Sequence, residues 1–445
     1  MSRLFGTDGV RGIANAELTP ELAFRLGEAA GHFLGDHGRG RIVVGRDTRK
    51  SGEMLEAALV AGLLAGGADA LLCGVVPTPA VSLLVREHGA DGGVVISASH
   101  NAPVYNGIKF FSRDGFKLPD ELEDEIEAFC TSDRDGWVRP TGDGIGQVVP
   151  IDDALDRYIA HCIDTIDVDL TGLSIAVDCG HGASGRATPE ALRQLGAKVI
   201  AINAESDGMD INVGCGSTNL TPLIEIVRDH QVDVGVAHDG DADRVLAVDE
   251  TGAEVDGDEI MAICAVHRHG LGMLPLDTVV STVMCNLGFE VAMRDRGITV
   301  IKTQVGDRYV LEQMRTSGAT LGGEQSGHII FLDHNTTGDG LVTALQLAAV
   351  MQETGKPLSE LRHVMRRYPQ VLVNVPVADK ARLATSAAVS DAVRAAESEL
   401  GDSGRVLVRP SGTEPLVRVM AEAADEATAA SVVARLVEVV RTELS

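Results

Sequence analysis

Asp239, Asp241 and Asp243 stand two residues apart within His238-Asp239-Gly240-Asp241-Ala242-Asp243-Arg244. Alternating carboxylates with small spacers can wrap one hard cation, and three such ligands leave positions that Mg²⁺ commonly fills with phosphate oxygen. An EF-hand calcium loop is the rival reading, since Glu250 falls at its twelfth position. Its sixth position calls for Gly and holds Arg244 instead, and the flanks read as strands rather than helices. The bland alternative is an acidic turn in an acidic chain.

Three further clusters carry chemistry. Ile96-Ser97-Ala98-Ser99-His100-Asn101 places a hydroxyl just after an apolar strand, where α/β sheets expose ligand sites. Ser99 there is a candidate nucleophile, although Ser, His and Asn also build ordinary turns. No GxSxG occurs, which argues against a hydrolase elbow. Asn106-Gly107 marks a turn, and Lys109 on the following apolar strand is either an edge charge or an inward functional group. Arg409-Pro410-Ser411-Gly412-Thr413-Glu414-Pro415, with Arg418 beyond, offers hydroxyls, close backbone N–H groups and two guanidinium groups, a cradle for phosphate or a plain hairpin loop. Gly322-Gly323-Glu324-Gln325-Ser326-Gly327-His328 offers a bidentate acceptor and small donors to sugar hydroxyls. His328 is a proton carrier or a satisfied structural histidine.

The elements that must hold these loops alternate helix and strand. Thr19-Pro20 opens a helix, with Leu22, Leu26, Ala29, Ala30 and Phe33 at helical spacing and Gly35 and Gly38 to stop it. Strands are expected at 41–44, 70–76 and 93–96. A helix capped by Ser51 covers 54–65, and another opens at Thr78-Pro79. The rhythm restarts with a strand at 174–178, a glycine-rich turn at 179–185, a helix, and strands at 198–202 and 232–237. It restarts again after Asp256 with a helix, strands at 278–281 and 299–302, and helices at 306–317, 339–352 and 358–365. Such alternation argues βαβ units with largely parallel sheets. The last 80 or so residues read as a smaller α+β domain: strands at 370–377, 405–409 and 417–421, helices at 378–400 and 427–444. Linkers are expected at 141–149 and 366–369. The fold class expected is α/β, three similar mixed units followed by a smaller α+β domain.

A chain of 445 residues has room for three or four domains. Its 44% hydrophobic and 23% charged residues exclude wholesale disorder. Asp and Glu outnumber Lys and Arg by 65 to 38, a formal charge of −27, which disfavours nucleic acid and anionic membrane as partners. An anionic small molecule needs a local basic cluster. Seven scattered cysteines without a CxxC pair read as reduced thiols in a cytoplasm, neither a disulfide frame nor a zinc site. The N-terminal residues show no apolar signal core, and the most apolar stretch, 55–76, is broken by Glu56, Asp69 and four glycines, too soon for a membrane span.

Taken in order, Phe5-Gly6-Thr7-Asp8-Gly9-Val10-Arg11-Gly12, the Ser99 loop, the Asp239/Asp241/Asp243/Arg244 loop, the Glu324 loop and the Arg409 loop resemble the α-D-phosphohexomutase superfamily along the whole chain. Gln325 and Val305-Gly306-Asp307-Arg308 narrow the likeness to bacterial members acting on glucosamine phosphate. The resemblance implies domains at 1–150 (phosphoserine loop), 151–255 (metal), 256–367 (sugar) and 368–445 (phosphate), around a central cleft. It implies reversible conversion of glucosamine 6-phosphate to glucosamine 1-phosphate, a step toward UDP-N-acetylglucosamine and cell wall. Ser99 would be the phosphoserine. Asp239, Asp241, Asp243 and the Ser99 phosphoryl would hold Mg²⁺. Arg11 and Arg244 would lie by the moving phosphoryl, with Lys109 and His328 as proton-handling groups. Glu324 and Ser326 would grip the sugar, and Arg409, Ser411, Gly412, Thr413 and Arg418 the unreacting phosphate. Glucosamine or glucose 1,6-bisphosphate would serve as intermediate and primer. A homodimer and an activating phosphoryl donor or kinase are implied as partners, with neither nucleic acid nor membrane. The alternatives are a mutase of glucose or mannose phosphate and a phosphosugar-binding protein without turnover. One departure stands out: Ala102, then Pro103, follows Asn101, where the family often has proline directly.

Overall fold

Short apolar runs set the architecture, because strands covered on both faces must be apolar throughout. Gly92–Ile96, Val234–His238 and Thr278–Thr282 are buried at every residue. Each lies inside a separate sheet of the computed structural model, which describes residues 3–6, 8–35, 39–132, 137–411 and 416–444. The chain divides into two units, Met1–Met284 with Gly297–Val364, and Cys285–Arg296 with Met365–Ser445.

The first unit holds three mixed sheets. The first runs Val10–Ile13, Tyr105–Ser112, Gly92–Ile96, Arg41–Arg46, Asp69–Val75, Val148–Pro150. Its last four strands are parallel, and Tyr105–Ser112 is antiparallel to both neighbours. The second runs Glu254–Val255, Val245–Asp249, Val234–His238, Ser174–Asp178, Lys198–Ile202, and the third Thr299–Thr303, Thr278–Thr282, Leu321–Gly323, Ile329–Phe331. Both repeat the scheme of parallel inner strands with an antiparallel strand to one side. The second unit has an antiparallel sheet, Gln370–Pro376, Leu416–Glu422, Arg405–Pro410, covered by the helices Ala387–Leu400 and Glu426–Leu444. The architecture is thus three mixed α/β sheets and a smaller α+β unit.

One regularity positions the chemistry. In each of the three mixed sheets an inner strand ends, a short loop follows, and the chain returns antiparallel beside it. The loops are 97–104, 239–244 and 324–328, which carry Ser99, the aspartate trio, and Glu324 with His328.

Several expectations need correction. The expected linker at 141–149 contains a tight helical turn, Gly142–Gly144, and ends in an edge strand. The stretch 378–400 is not one helix: a tight turn, Lys380–Thr385, precedes Ala387–Leu400, whose start Ser386 fixes by accepting from Val389 N. Ser51 makes no side-chain cap, since its hydroxyl accepts from Asn106 Nδ2 at 2.9 Å. The helices Asp120–Thr131, Ala154–Ile163 and Leu287–Arg294 and the strands Val245–Asp249, Leu321–Gly323 and Ile329–Phe331 were not expected. Among the described residues no helix is long and apolar enough to cross a membrane. None of the seven cysteines forms a disulfide.

Candidate active site

Ser99 follows the buried strand Gly92–Ile96 and is itself 1% exposed. Its φ of +53° lies in the left-handed region, uncommon for a residue other than glycine and frequent at functional turns. From there the hydroxyl donates to Asp239 Oδ2 at 2.7 Å, across 140 residues of sequence. His100 Nδ1 lies 3.2 Å from Ser99 Oγ. Burial, reinforced by the Arg244 and Arg11 guanidinium groups, pushes the His100 imidazole down to about 4.

Asp239, Asp241 and Asp243 are all buried, and one carboxylate oxygen from each lies within 4.8 Å of the others. Asp241 Oδ2 accepts from Thr78 Oγ1 at 2.6 Å and from Lys109 Nζ at 2.8 Å. Burial acts to raise the Asp241 carboxyl, but the Lys109 charge and hydrogen bond with the Thr78 hydrogen bond hold it at about 2. Asp239 goes the other way: burial and the charges of Asp243 and Asp241 push it well above the usual range. Asp241 Oδ1 and Asp243 Oδ1 are buried without a hydrogen-bond partner. Orphaned, closely spaced carboxylate oxygens are the hard donor set that suits Mg²⁺. Glu250, the twelfth position of the calcium-loop rival, accepts from Ser359 instead.

Cations converge on this trio. Lys109 is 2% exposed and points inward, with Asp8 at 3.1 Å and Asp243 at 3.6 Å besides Asp241. Burial lowers its pKa, but the charges of Asp241, Asp8 and Asp243 outweigh burial and hold the ammonium protonated. Arg244 Nε lies 3.8 Å from Asp243 and 3.9 Å from Asp239. Arg11, on the strand Val10–Ile13, bonds Asp8 and keeps its buried Nε without a partner. His328 Nε2 is 3.5 Å from Asp307 and 3.9 Å from Asp243, and both its ring nitrogens are buried without a hydrogen-bond partner. Glu324, half-buried, accepts from Gly306 N at 3.1 Å, and Ser326 is exposed.

Asp8, Lys117, Asp307 and Thr78 are site residues that sequence reasoning left without a role. Asp8 joins Arg11, Lys109 and Lys117, while Lys117 also bonds Asp307. Asp8 and Asp307 lay inside motifs already singled out. Lys117 and Thr78 gave no local signal, as their partners are 190 and 163 residues away.

In the second unit Arg409 and Arg418 are cross-strand partners. Like charges directly opposite repel unless an anion lies between them. Arg409 Nε is buried without a partner, and burial, then the Arg418 charge, lowers its pKa. Lys380 Nζ donates to the Ser411 carbonyl at 2.7 Å. Gly412 and Thr413 lie outside the described residues.

Four family models cover most of the chain: phosphoglucomutase/phosphomannomutase alpha/beta/alpha domains I, II and III match residues 2–136, 156–252 and 256–368, and the C-terminal domain matches 372–439. A phosphoglucosamine mutase of Streptomyces avermitilis is 56% identical over 451 residues, covering 100% of both chains. One of Desulforamulus reducens is 54% identical over 441 residues, covering 99% of each. A crystal structure of a phosphoglucomutase/phosphomannomutase family protein from Burkholderia thailandensis has a TM-score of 0.84 at 24% identity, over 100% of this chain and 98% of that one. The Aspergillus fumigatus N-acetylphosphoglucosamine mutase, solved with GlcNAc-6P and magnesium, has a TM-score of 0.71 at 18% identity, over 99% and 96%. This chain belongs to the phosphoglucomutase/phosphomannomutase family, among its phosphoglucosamine mutases.

Proposed function

We propose that the protein interconverts glucosamine 6-phosphate and glucosamine 1-phosphate through a phosphorylated Ser99 and a 1,6-bisphosphate. The observation that most supports this reading is the Ser99 hydroxyl set 2.7 Å from a buried aspartate trio with orphaned oxygens. Phosphorylated Ser99 gives its phosphoryl group to the free hydroxyl of the bound sugar phosphate. The new O–P bond forms at the sugar as the Ser99 Oγ–P bond breaks. The sugar hydroxyl's proton passes to His328, and Lys109, held protonated by its carboxylates, returns one to the departing Ser99 oxygen. The bisphosphate turns over, and its other phosphoryl group goes back to Ser99. Asp239, Asp241 and Asp243, with a Ser99 phosphoryl oxygen, would hold Mg²⁺, which supplies Lewis-acid stabilisation of the phosphoryl charge. Arg11 and Arg244 add fixed positive charge beside it. Glu324 and Ser326 orient the sugar. Arg409, Ser411, Gly412, Thr413 and Arg418 hold the phosphate that is not reacting.

Priming of Ser99 by a sugar bisphosphate or a kinase, a homodimer and a cytoplasmic location belong to the same reading, the last favoured by seven cysteines outside any disulfide. The test is an assay of the purified protein with glucosamine 6-phosphate, Mg²⁺ and a bisphosphate primer, beside glucose and mannose phosphates, with intact-mass detection of phosphoserine. Fastest turnover on the amino sugar and a phosphate on the wild type but not on Ser99→Ala are expected. Binding without turnover or phosphate would leave a phosphosugar-binding protein instead.

A further inference from the structure

Arg49 lies three residues past the end of the first-sheet strand Arg41–Arg46 and is 1% exposed. A buried guanidinium carries five N–H donors, and each must find an acceptor. All five do. Nε donates to Asp47 Oδ2 at 2.9 Å. Nη1 donates to the carbonyls of Ala102 at 2.6 Å and Tyr105 at 3.0 Å, and Nη2 to those of Ser99 at 3.0 Å and Asn101 at 2.8 Å. Four of the five acceptors are main-chain oxygens, three in the loop that bears Ser99 and the fourth on Tyr105, the first residue of the strand that follows it. That loop belongs to neither helix nor strand, so its carbonyls have no ladder to satisfy them.

Asp47 extends the same device. It is fully buried, accepts from the Arg49 backbone N–H at 2.9 Å, and takes the Ser97 hydroxyl at 2.7 Å. The Ser97 oxygen in turn accepts from the Ser99 N–H at 2.9 Å. Ser99 is therefore held at both of its peptide groups: its N–H through Ser97 and Asp47, its carbonyl through Arg49. Asn212 Nδ2 adds a second bond to that carbonyl at 2.9 Å. With the carbonyl turned toward Arg49, the residue adopts its left-handed φ and the hydroxyl is presented to Asp239.

We infer that Arg49, seated on Asp47, is the positioning residue of the phosphoryl-carrying loop, fixing the strained backbone of Ser99 so that its hydroxyl stays in line for transfer. This rests on the reading of Ser99 as the phosphoryl carrier. A lysine cannot replace it, because three donors on a tetrahedral head cannot span four carbonyls lying in one fork. Ala102 thus contributes through its carbonyl, which any residue at that position supplies.

The test uses the full chain and three variants, Arg49→Lys, Arg49→Ala and Asp47→Asn. For each, the single-turnover rate of Ser99 phosphorylation by glucose 1,6-bisphosphate is followed by intact mass, with kcat and KM for glucosamine 6-phosphate measured alongside. Misplacement of a reacting group on the order of 1 Å costs about 100-fold, so Arg49→Lys should slow phosphorylation and kcat by about that factor with KM changed by less than about threefold. Millimolar guanidinium should restore part of the Arg49→Ala rate, which a loss of general packing would not allow. A raised KM with unaltered kcat, or unaltered phosphorylation in Arg49→Lys, overturns the inference. If Arg49→Ala does not fold, the near-isosteric Asp47→Asn decides: slower phosphorylation supports the inference, and a wild-type rate overturns it. A wild type that is never phosphorylated overturns the Ser99 reading and this inference with it, whereas an active wild type with unaffected variants overturns this inference alone.

Discussion

Lys109 shows how strongly one buried charge can be constrained. Its ammonium is the common partner of Asp241, Asp8 and Asp243, so removing it leaves three carboxylates close together with less compensation. Lys109→Met should reduce kcat by about 100-fold or more, the scale for loss of one preorganised charge at a reacting centre. Lys109→Arg should not rescue it, since the larger fork has no room at a 2% exposed site. Steady-state kinetics of the two variants check this. Asp241→Asn removes both a proposed metal ligand and the anchor of Lys109, so activity should fall and its Mg²⁺ dependence shift to higher concentration. A Mg²⁺ titration, with chelation and readdition on the wild type as control, reads this out, and an unchanged dependence would remove Asp241 from the metal set. At this scale the sequence was informative wherever residue type and short spacing carry the chemistry, as for the aspartate trio. Lys117 and Thr78 were illegible because nothing local distinguishes a lysine or threonine whose partner lies 190 or 163 residues away.

Elements explain why the loops were easier to find than their frames. Central strands such as Gly92–Ile96 and Val234–His238 announce themselves as apolar runs. Leu321–Gly323 and Ile329–Phe331 have three residues each, too few for a period to register, and two of the first three are glycines. The repeated scheme of inner strand, loop and antiparallel return was therefore hidden, although its loops were visible one by one. Ser51 misled because an N-cap residue type need not cap: its hydroxyl serves Asn106 instead. Asp339 is the opposite case, a true cap for the helix Gly340–Thr354. It accepts from Val342 N at 3.0 Å while also taking the Tyr158 hydroxyl at 2.7 Å and Asn335 Nδ2 at 3.0 Å. Asp339→Ala should destabilise the first unit by about 3 kcal/mol, combining a lost cap with buried donors left unpaired. Tyr158→Phe should cost less, about 1–2 kcal/mol. Urea unfolding of both variants, followed by fluorescence and circular dichroism, gives the comparison.

At the scale of the whole chain, composition set the class and the charge balance argued against polyanions as partners, but the division into two units was not legible. Nothing in the sequence marks Cys285–Arg296 as belonging with Met365–Ser445. One link between them is Glu422, whose carboxylate takes the Leu287 N–H at 2.8 Å and Arg405 Nε at 2.7 Å, beside the Asn286 bonds to Tyr368 and the Arg405 bonds to Glu290 and the Cys285 carbonyl. Burial raises its carboxyl, and the Arg405 pairing opposes that. Glu422→Ala should lower the melting transition of the second unit, with a loss of about 3 kcal/mol for removing the nearest carboxylate of the half-buried Arg405 and the acceptor of the Leu287 N–H, while leaving that of the first unit in place. Calorimetry resolving two transitions checks this, and a single transition moved as a whole would mean that the units do not unfold separately.

That interleaving has a consequence for how the polypeptide is made. The helix Leu287–Arg294, with Phe289, Ala292 and Met293 buried, emerges from the ribosome long before the strand Leu416–Glu422, whose Glu422 takes its Leu287 N–H, exists. At bacterial or eukaryotic synthesis speeds this leaves an oily nascent segment waiting roughly ten seconds for its other half, a natural point for a chaperone to engage and for a truncated transcript to yield aggregate.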